Sequence, residues 1–333
     1  SLKLGGTKGL TAVQFNTISN KNSINTLDLT RANATGFDLS GFTNLKTLNL
    51  THIQYLTAAQ FNAIPSQVKA SIETLDLSRV NVTSFDFSEF TGLKTLNLTH
   101  IQYLTAAQFN AIPSQVKASI ETLDLSGVNV AGFDLSEFTN LKTLNLHDAQ
   151  NLTAEQFNAI SIQAKASIET LDLSRVNVTG FDLLEFTSLK ILNLHDAQGL
   201  TAEQFNAISP EGKASIETLN LEDVDVIGFD FLGFTNLKSL NLSSVQGLTA
   251  DQFNAIPAEA RASIETLDLS DVDLTDFDFS GFTSLKTLEL SATQGLTTEQ
   301  FNAIPQEVKA SIDVLNLQRV DVTDFDFSGF TSL

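Results

Sequence analysis

The sequence predicts an α/β solenoid, with a parallel β-sheet on one face and short helices alternating with extended or 3₁₀ segments on the other. Two observations predict it. A Leu-Lys-x-Leu segment recurs every 48 residues, starting at Leu45, Leu93, Leu141, Leu189, Leu237, Leu285 and finally Leu333. Fixed self-similarity of this length marks coils that bury their apolar faces on one another. Within each unit, Ile72-x-x-Leu75-x-Leu77 repeats the spacing of Leu45-x-x-Leu48-x-Leu50, and the two alternate 27 and 21 residues apart. The half-unit is therefore the coil. Residues 1–333 read as one continuous array of about seven double repeats with no evident caps.

The strand comes first in each coil. On these Leu-x-x-Leu-x-Leu runs, fourteen of them counting the truncated Ser1-Leu2-Lys3-Leu4, the chain resembles the leucine-rich-repeat family over its full length. The resemblance implies a short parallel strand per coil. It departs from the family at one slot: three residues after the last Leu, the usual Asn or Cys is replaced by an apolar residue such as Ile53, Val80, Val128 or Ala149. The following slot is always an amide or acid, with Gln54, Gln102, Gln150, Gln198, Gln246 and Gln294 alternating with Asn33, Asn81, Asn129, Asn177, Asp225, Asp273 and Asp321. This shifted ladder is expected to hydrogen-bond the turn backbone, with plain solvent exposure as the alternative.

In Leu45 to Thr51, slots one, four and six point inward, which turns Thr47, Asn49 and Thr51 outward by two-residue alternation. The next coil offers Thr74, Asp76 and Ser78. Stacking gives a Thr column (Thr47, Thr74, Thr95, Thr122, Thr143, Thr170) beside an alternating amide and acid column (Asn49, Asp76, Asn97, Asp124, Asn145, Asp172, Asn193). Interleaving is expected because an unbroken Asp column would set like charges opposite one another, whereas Asn can donate to its neighbours. His147, His195, Glu222 and Gln318 vary the face at its edge. If the chain binds anything, this is the expected binding surface; solvation of the sheet is the competing explanation.

Helices follow in the longer half-unit. Thr57-Ala58-Ala59-Gln60 fits a capping box, and Phe61, Ile64 and Val68 recur at helical spacing. Pro65 allows about one turn before a break, which predicts a helix over Ala58 to Ile64 and a second turn over Ser66 to Ala70. Ser161 and Ser209 replace that Pro, so a continuous helix is expected to be possible there. The shorter half-unit, crowded with Val80, Val82, Phe85, Phe87 and Phe90, should be extended or 3₁₀. All 25 Phe fall in recurring slots and are expected to form a stacked aromatic spine.

Composition narrows function. A net charge of −20 opposes nucleic-acid binding, whose affinity comes chiefly from Lys and Arg. The same charge favours basic partners. No run approaches the ~18 apolar residues of a membrane span. With no cysteine, disulfides and thiolate sites are excluded. Many secreted animal and plant leucine-rich-repeat proteins carry cysteine-bearing caps, so the resemblance implies the microbial surface or secreted type. His52, His100, His147 and His195 lie one unit apart, ~10 Å of sheet, too far to share a metal. Their neighbours supply no recurring nucleophile, and neither catalysis nor a cofactor is expected. The Asp of Phe85-Asp86-Phe87, repeated from Asp38 to Asp326, reads as a backbone cap rather than a calcium ligand. Seven Asn-x-Ser/Thr sequences, at Asn33, Asn49, Asn81, Asn97, Asn151, Asn177 and Asn241, are possible glycan acceptors.

These observations predict a non-enzymatic extracellular or cell-surface stalk or adhesin whose strand face holds a protein or glycan. The alternative is a structural filament. Ser1 begins at slot three and Leu333 stops at slot one, so copies meeting head to tail would continue the motif nearly in phase. The expectation is a window of a longer array, with end-to-end self-association as its rival.

Overall fold

The computed structural model describes Ser1–Leu333, and the chain forms two compact units, Ser1–Ile168 and Glu169–Leu333. In the first, strands Leu2–Lys3, Thr26–Asp28, Thr47–Asn49, Thr74–Asp76, Thr95–Asn97, Thr122–Asp124 and Thr143–Asn145 pair in parallel and in chain order. In the second, Thr170–Asp172, Ile191–Asn193, Thr218–Asn220, Ser239–Asn241, Thr266–Asp268, Thr287–Glu289 and Val314–Asn316 do the same. Chain-order parallel pairing is what a coil-by-coil repeat produces, because each coil returns the chain to its starting edge.

The inward slots behave as expected. Leu45, Leu48 and Leu50 are buried, as are Ile72, Leu75 and Leu77, and the pattern persists through Leu285, Leu288 and Leu290. Each strand is three residues or fewer, so the sheet owes its stability to stacked core Leu and Ile as much as to the ladder.

The first helix ends two residues before the expected Ile64, and the second runs one residue past the expected Ala70. Ala58–Asn62 is one turn and Ser66–Ser71 a second, broken at Pro65 in extended geometry. The capping box forms: the Thr57 hydroxyl accepts from the Gln60 amide, while Gln60 Oε1 accepts from the Thr57 amide at 3.1 Å. The same box recurs at Thr11, Thr105, Thr153, Thr201, Thr249 and Thr297. Each cap is worth ~1 kcal/mol. The continuous helix allowed at Ser161 and Ser209 does not form. Both residues stay extended and their hydroxyls cap a fresh helix, accepting from the Ala164 and Gly212 amides. At Ser161 serine thus replaces the proline break with a cap, because it competes for the helix's first amides; at Ser209 the proline has moved one place on, to Pro210 in the first turn of the new helix.

The shorter half-unit is a chain of turns without helix, as in 79–92. Its Phe side chains close onto the helix Phe of the same repeat: Phe61 stacks on Phe85 with centroids 4.2 Å apart and on Phe90 at 5.6 Å, with Phe87 edge-on at 5.8 Å. The aromatics therefore gather as one cluster per repeat. No helix is long and apolar enough to cross a membrane.

Candidate functional site

On the outer surface of the sheet the expected columns are in register. Thr47 pairs with Thr74 and Asn49 with Asp76; Thr122 pairs with Thr143 and Asp124 with Asn145. In the second unit Thr170 pairs with Ile191 and Asp172 with Asn193. Thr47, Asn49, Thr74, Asp76, Thr95, Asn97, Thr122, Asp124, Thr143, Asn145, His147, Thr170, Asp172, Asn193 and His195 are all partly exposed.

The two columns differ in what they leave free. Each Asn or Asp turns back on its own strand end. Asp76 Oδ1 accepts from the Ser78 amide at 2.9 Å and from its hydroxyl at 2.6 Å, and Asp124 does the same with Ser126. Asn49 Oδ1 accepts from the Thr51 amide, Asn97 Oδ1 from the Thr99 amide and hydroxyl. The outer residue of slot seven, exposed by simple alternation, is thereby folded down, and Ser78, Ser126 and Ser174 are buried. The Asn amides also donate to the Asp of the preceding coil, Asn97 to Asp76 at 3.4 Å, Asn145 to Asp124 at 3.3 Å and Asn193 to Asp172 at 3.1 Å. Where Asp and Asn alternate here the pairing has a structural use: Asn97, Asn145 and Asn193 each bridge to one neighbouring carboxylate.

Beside the Thr column runs a third, at slot two, in which Lys and Glu alternate. Lys46 pairs with Glu73 at 2.8 Å and Lys142 with Glu121 at 3.4 Å; in the second unit Lys190 pairs with Glu169 and Lys238 with Glu217, both at 2.6 Å. Sequence reasoning missed this column, although the Lys46, Glu73, Lys94, Glu121 order was legible. The Thr side chains lie between the two paired columns.

Three solved structures share this architecture. A leucine-rich-repeat protein of Leptospira interrogans is 20% identical with a TM-score of 0.62, covering 92% of this chain and 74% of its own. An internalin of Listeria monocytogenes is 15% identical with a TM-score of 0.63, covering 97% and 87%. A chain of the octameric complex of latrophilin 3, Unc5D and the leucine-rich-repeat protein FLRT2 is 16% identical with a TM-score of 0.51, covering 93% and 91%. The fold is the leucine-rich-repeat solenoid. No protein-family model and no curated protein sequence matches the chain.

Within this leucine-rich-repeat frame the shifted amide ladder splits in two. Its Asn and Asp members cap the turn, as Asn33 Oδ1 accepts from the Thr35 amide and hydroxyl and Asp273 Oδ1 from those of Thr275. Its Gln members join instead through the backbone, in bridges such as Asn33 to Gln54 and Asp225 to Gln246, and their side chains are exposed. Gln198 alone among them is seen to hold its turn, its Nε2 donating to the Asp196 carbonyl at 3.2 Å and to Asp196 Oδ1 at 2.8 Å; the exposed side chains of the others follow the solvent alternative. The recurring Asp of the Phe-Asp-Phe segment is a cap: Asp134 Oδ1 accepts from the Ser136 amide and hydroxyl, and Asp86 Oδ1 from the Ser88 amide.

Sequence reasoning also missed a buried cation in each repeat. Lys69 and Lys117 are 1% exposed, and Lys21, Lys165, Lys213, Arg261 and Lys309 are buried in the same slot. Lys117 Nζ donates to the Asn110 carbonyl at 3.3 Å and pairs with Glu137 at 3.0 Å. Lys69 does likewise with Asn62 and Glu89, its ammonium 6.0 Å from the centre of the Phe90 ring. Burial lowers the Lys213 pKa. The available signal was a Lys or Arg recurring every 48 residues inside an otherwise apolar helix face.

The histidines divide by slot. His52 and His100 are exposed at turns of positive φ and, with Arg79 and Gln102, line a cavity of about 330 Å³. Tyr55 and Tyr103 stand nearby in sequence, also at positive φ and about 70% exposed. His195 Nδ1 lies 3.5 Å from Glu222 Oε2 and 3.9 Å from Asp223 Oδ2. Spacing between histidines alone could not reveal this cluster, because its other members are carboxylates of the next coil.

Proposed function

We propose that the chain is a non-enzymatic leucine-rich-repeat stalk or adhesin, secreted or surface-exposed on a microbe, that holds a protein partner on its strand face. The Thr column carries the reading. Its hydroxyls stand partly exposed between a Lys/Glu column and an Asn/Asp column whose charges are already tied to one another. Such a surface is ordered before binding, and preorganisation lowers the entropic cost of association. The acidic chain favours a basic partner, steered by long-range charge. The Leptospira and Listeria folds and the presence of FLRT2 in a protein complex support a bacterial, protein-binding reading.

The test exploits the difference between columns. Changing Asp76 or Asp124 would break turn caps, so the informative variant is Thr47→Gln/Thr95→Gln/Thr143→Gln, compared with Ala59→Gln/Ala107→Gln/Glu155→Gln on the helices. Capture from extracts of candidate host surfaces, quantified by mass spectrometry, should fall roughly tenfold for the Thr variant, the scale of ~1.4 kcal/mol, and stay unchanged for the helical one. Equal capture by both variants contradicts the reading. Loss of capture after glycosidase but not protease treatment assigns the face to a glycan instead.

A further inference from the structure

We infer that His195, Glu222 and Asp223 form a binding site for a first-row divalent metal ion of the Zn²⁺ class, a role separate from the Thr column. Each residue occupies a slot that elsewhere serves the coil. His195 and Glu222 stand where other coils place Thr51, Ser78, Thr99, Ser126, Ser243 and Ser270, whose backbone amides are held by the strand Asn or Asp. That backbone cap is retained here: the His195 amide donates to Asn193 Oδ1 at 3.1 Å and the Glu222 amide to Asn220 Oδ1 at 3.0 Å. The pairing of Asn193 with Asn220 then sets the two strand ends side by side. What changes is the side chain. Two consecutive coils exchange a small hydroxyl for an imidazole and a carboxylate, and Asp223, at φ 59°, adds a second carboxylate from the turn.

The geometry suits one ion. One ligand atom from each of the three residues lies within 4.8 Å of the others, with His195 Nδ1 at 3.5 Å from Glu222 Oε2 and 3.9 Å from Asp223 Oδ2. Two ligands about 2.05 Å from a tetrahedral Zn²⁺ stand ~3.3 Å apart, so small side-chain movements bring all three onto one metal.

A second observation points the same way. His195 Nδ1 is buried and has no hydrogen-bond partner, and a buried polar atom without a partner is costly unless an ion or water meets it. Glu222 is also held in place, since Asn241 Nδ2 donates at 3.2 Å to the same Oε2 that faces His195, the kind of outer contact that orients a ligating carboxylate.

The donor set selects the metal class. One imidazole and two carboxylates suit Zn²⁺ and its neighbours, whereas Ca²⁺ takes six to eight oxygens. Of the three, Asp223 also lines an open cavity of about 460 Å³, together with Asp196 and Asp225.

The experiment is calorimetric titration of the chelator-washed full chain with ZnCl₂ at neutral pH. The expected result is one saturable site per chain, weakened at least roughly tenfold by His195→Thr and by Glu222→Ser and unaffected by His100→Ala. Both site substitutions install the residue type of equivalent coils, so the fold is preserved, and circular dichroism checks it. A thermal midpoint that Zn²⁺ raises in the unmodified chain but not in His195→Thr gives the same answer through linkage. Absence of saturable Zn²⁺ binding, or binding that survives both substitutions intact, overturns the assignment.

Discussion

Leu144 and Lys142 lie two residues apart and have opposite fates. Leu144 is fully buried in the stacked core, whereas Lys142 and its partner Glu121 keep 57% and 40% of their side chains exposed. Leu144→Ala should therefore cost about 2–5 kcal/mol through lost transfer energy and the cavity left behind. Lys142→Ala should cost under about 0.5 kcal/mol, because exposed pairs are screened and entropically expensive to hold. Urea unfolding of the two variants checks this, and equal losses would place Leu144 outside the core. At this scale the inward strand residues were legible, because the Leu spacing separates inside from outside without knowledge of neighbours, whereas the burial of Ser78, Ser126 and Ser174 was not. The buried Lys117 was not. A long stem with a charged tip reads as surface in a sequence, and only the carbonyl of Asn110 and the carboxylate of Glu137 make its burial intelligible.

The turns of the shorter coils depend on carboxylates used as caps. The Ser136 hydroxyl and then its amide hold the Asp134 carboxyl below its ordinary value, and the Ser88 amide acts first on Asp86 in the same direction. A folded-state value below the unfolded one of about 3.9 makes the stabilising contribution complete above that pH. It is lost as pH falls through the depressed folded value. Asp134→Asn keeps an acceptor for Ser136 but cannot titrate, so its stability should fall less steeply than the wild type's below about pH 4. Denaturant midpoints at neutral and acid pH measure the difference; parallel curves would show that Asp134 is no more tightly capped than an unfolded Asp. Helix starts were legible as elements because Thr-x-x-Gln is a local signal. Helix continuity past Ser161 was misjudged, since Ser allows a helix to run on yet gains more as the cap of a new one.

Across each unit the repeat fixes the order of strands, and the order fixes which side chains form columns. That much was legible, as was the Asn/Asp alternation. The availability of its groups was not, because whether Asp76 faces a partner or caps Ser78 depends on a side-chain torsion that periodicity does not encode. The His195 cluster escaped for a similar reason: it joins residues 27 apart that depart from the repeat in different ways. The central claim is that a partner is held by the strand face. Hydrogen–deuterium exchange on the chain alone and bound to the protein it captures tests this most directly, because amides covered by a partner slow their exchange. Binding on the strand face should add protection in the peptides containing Thr47–Asn49, Thr74–Asp76, Thr95–Asn97 and Thr122–Asp124, with none in Ala58–Asn62 or Ala106–Asn110. Protection confined to those helices, with the strand peptides unchanged, would contradict it.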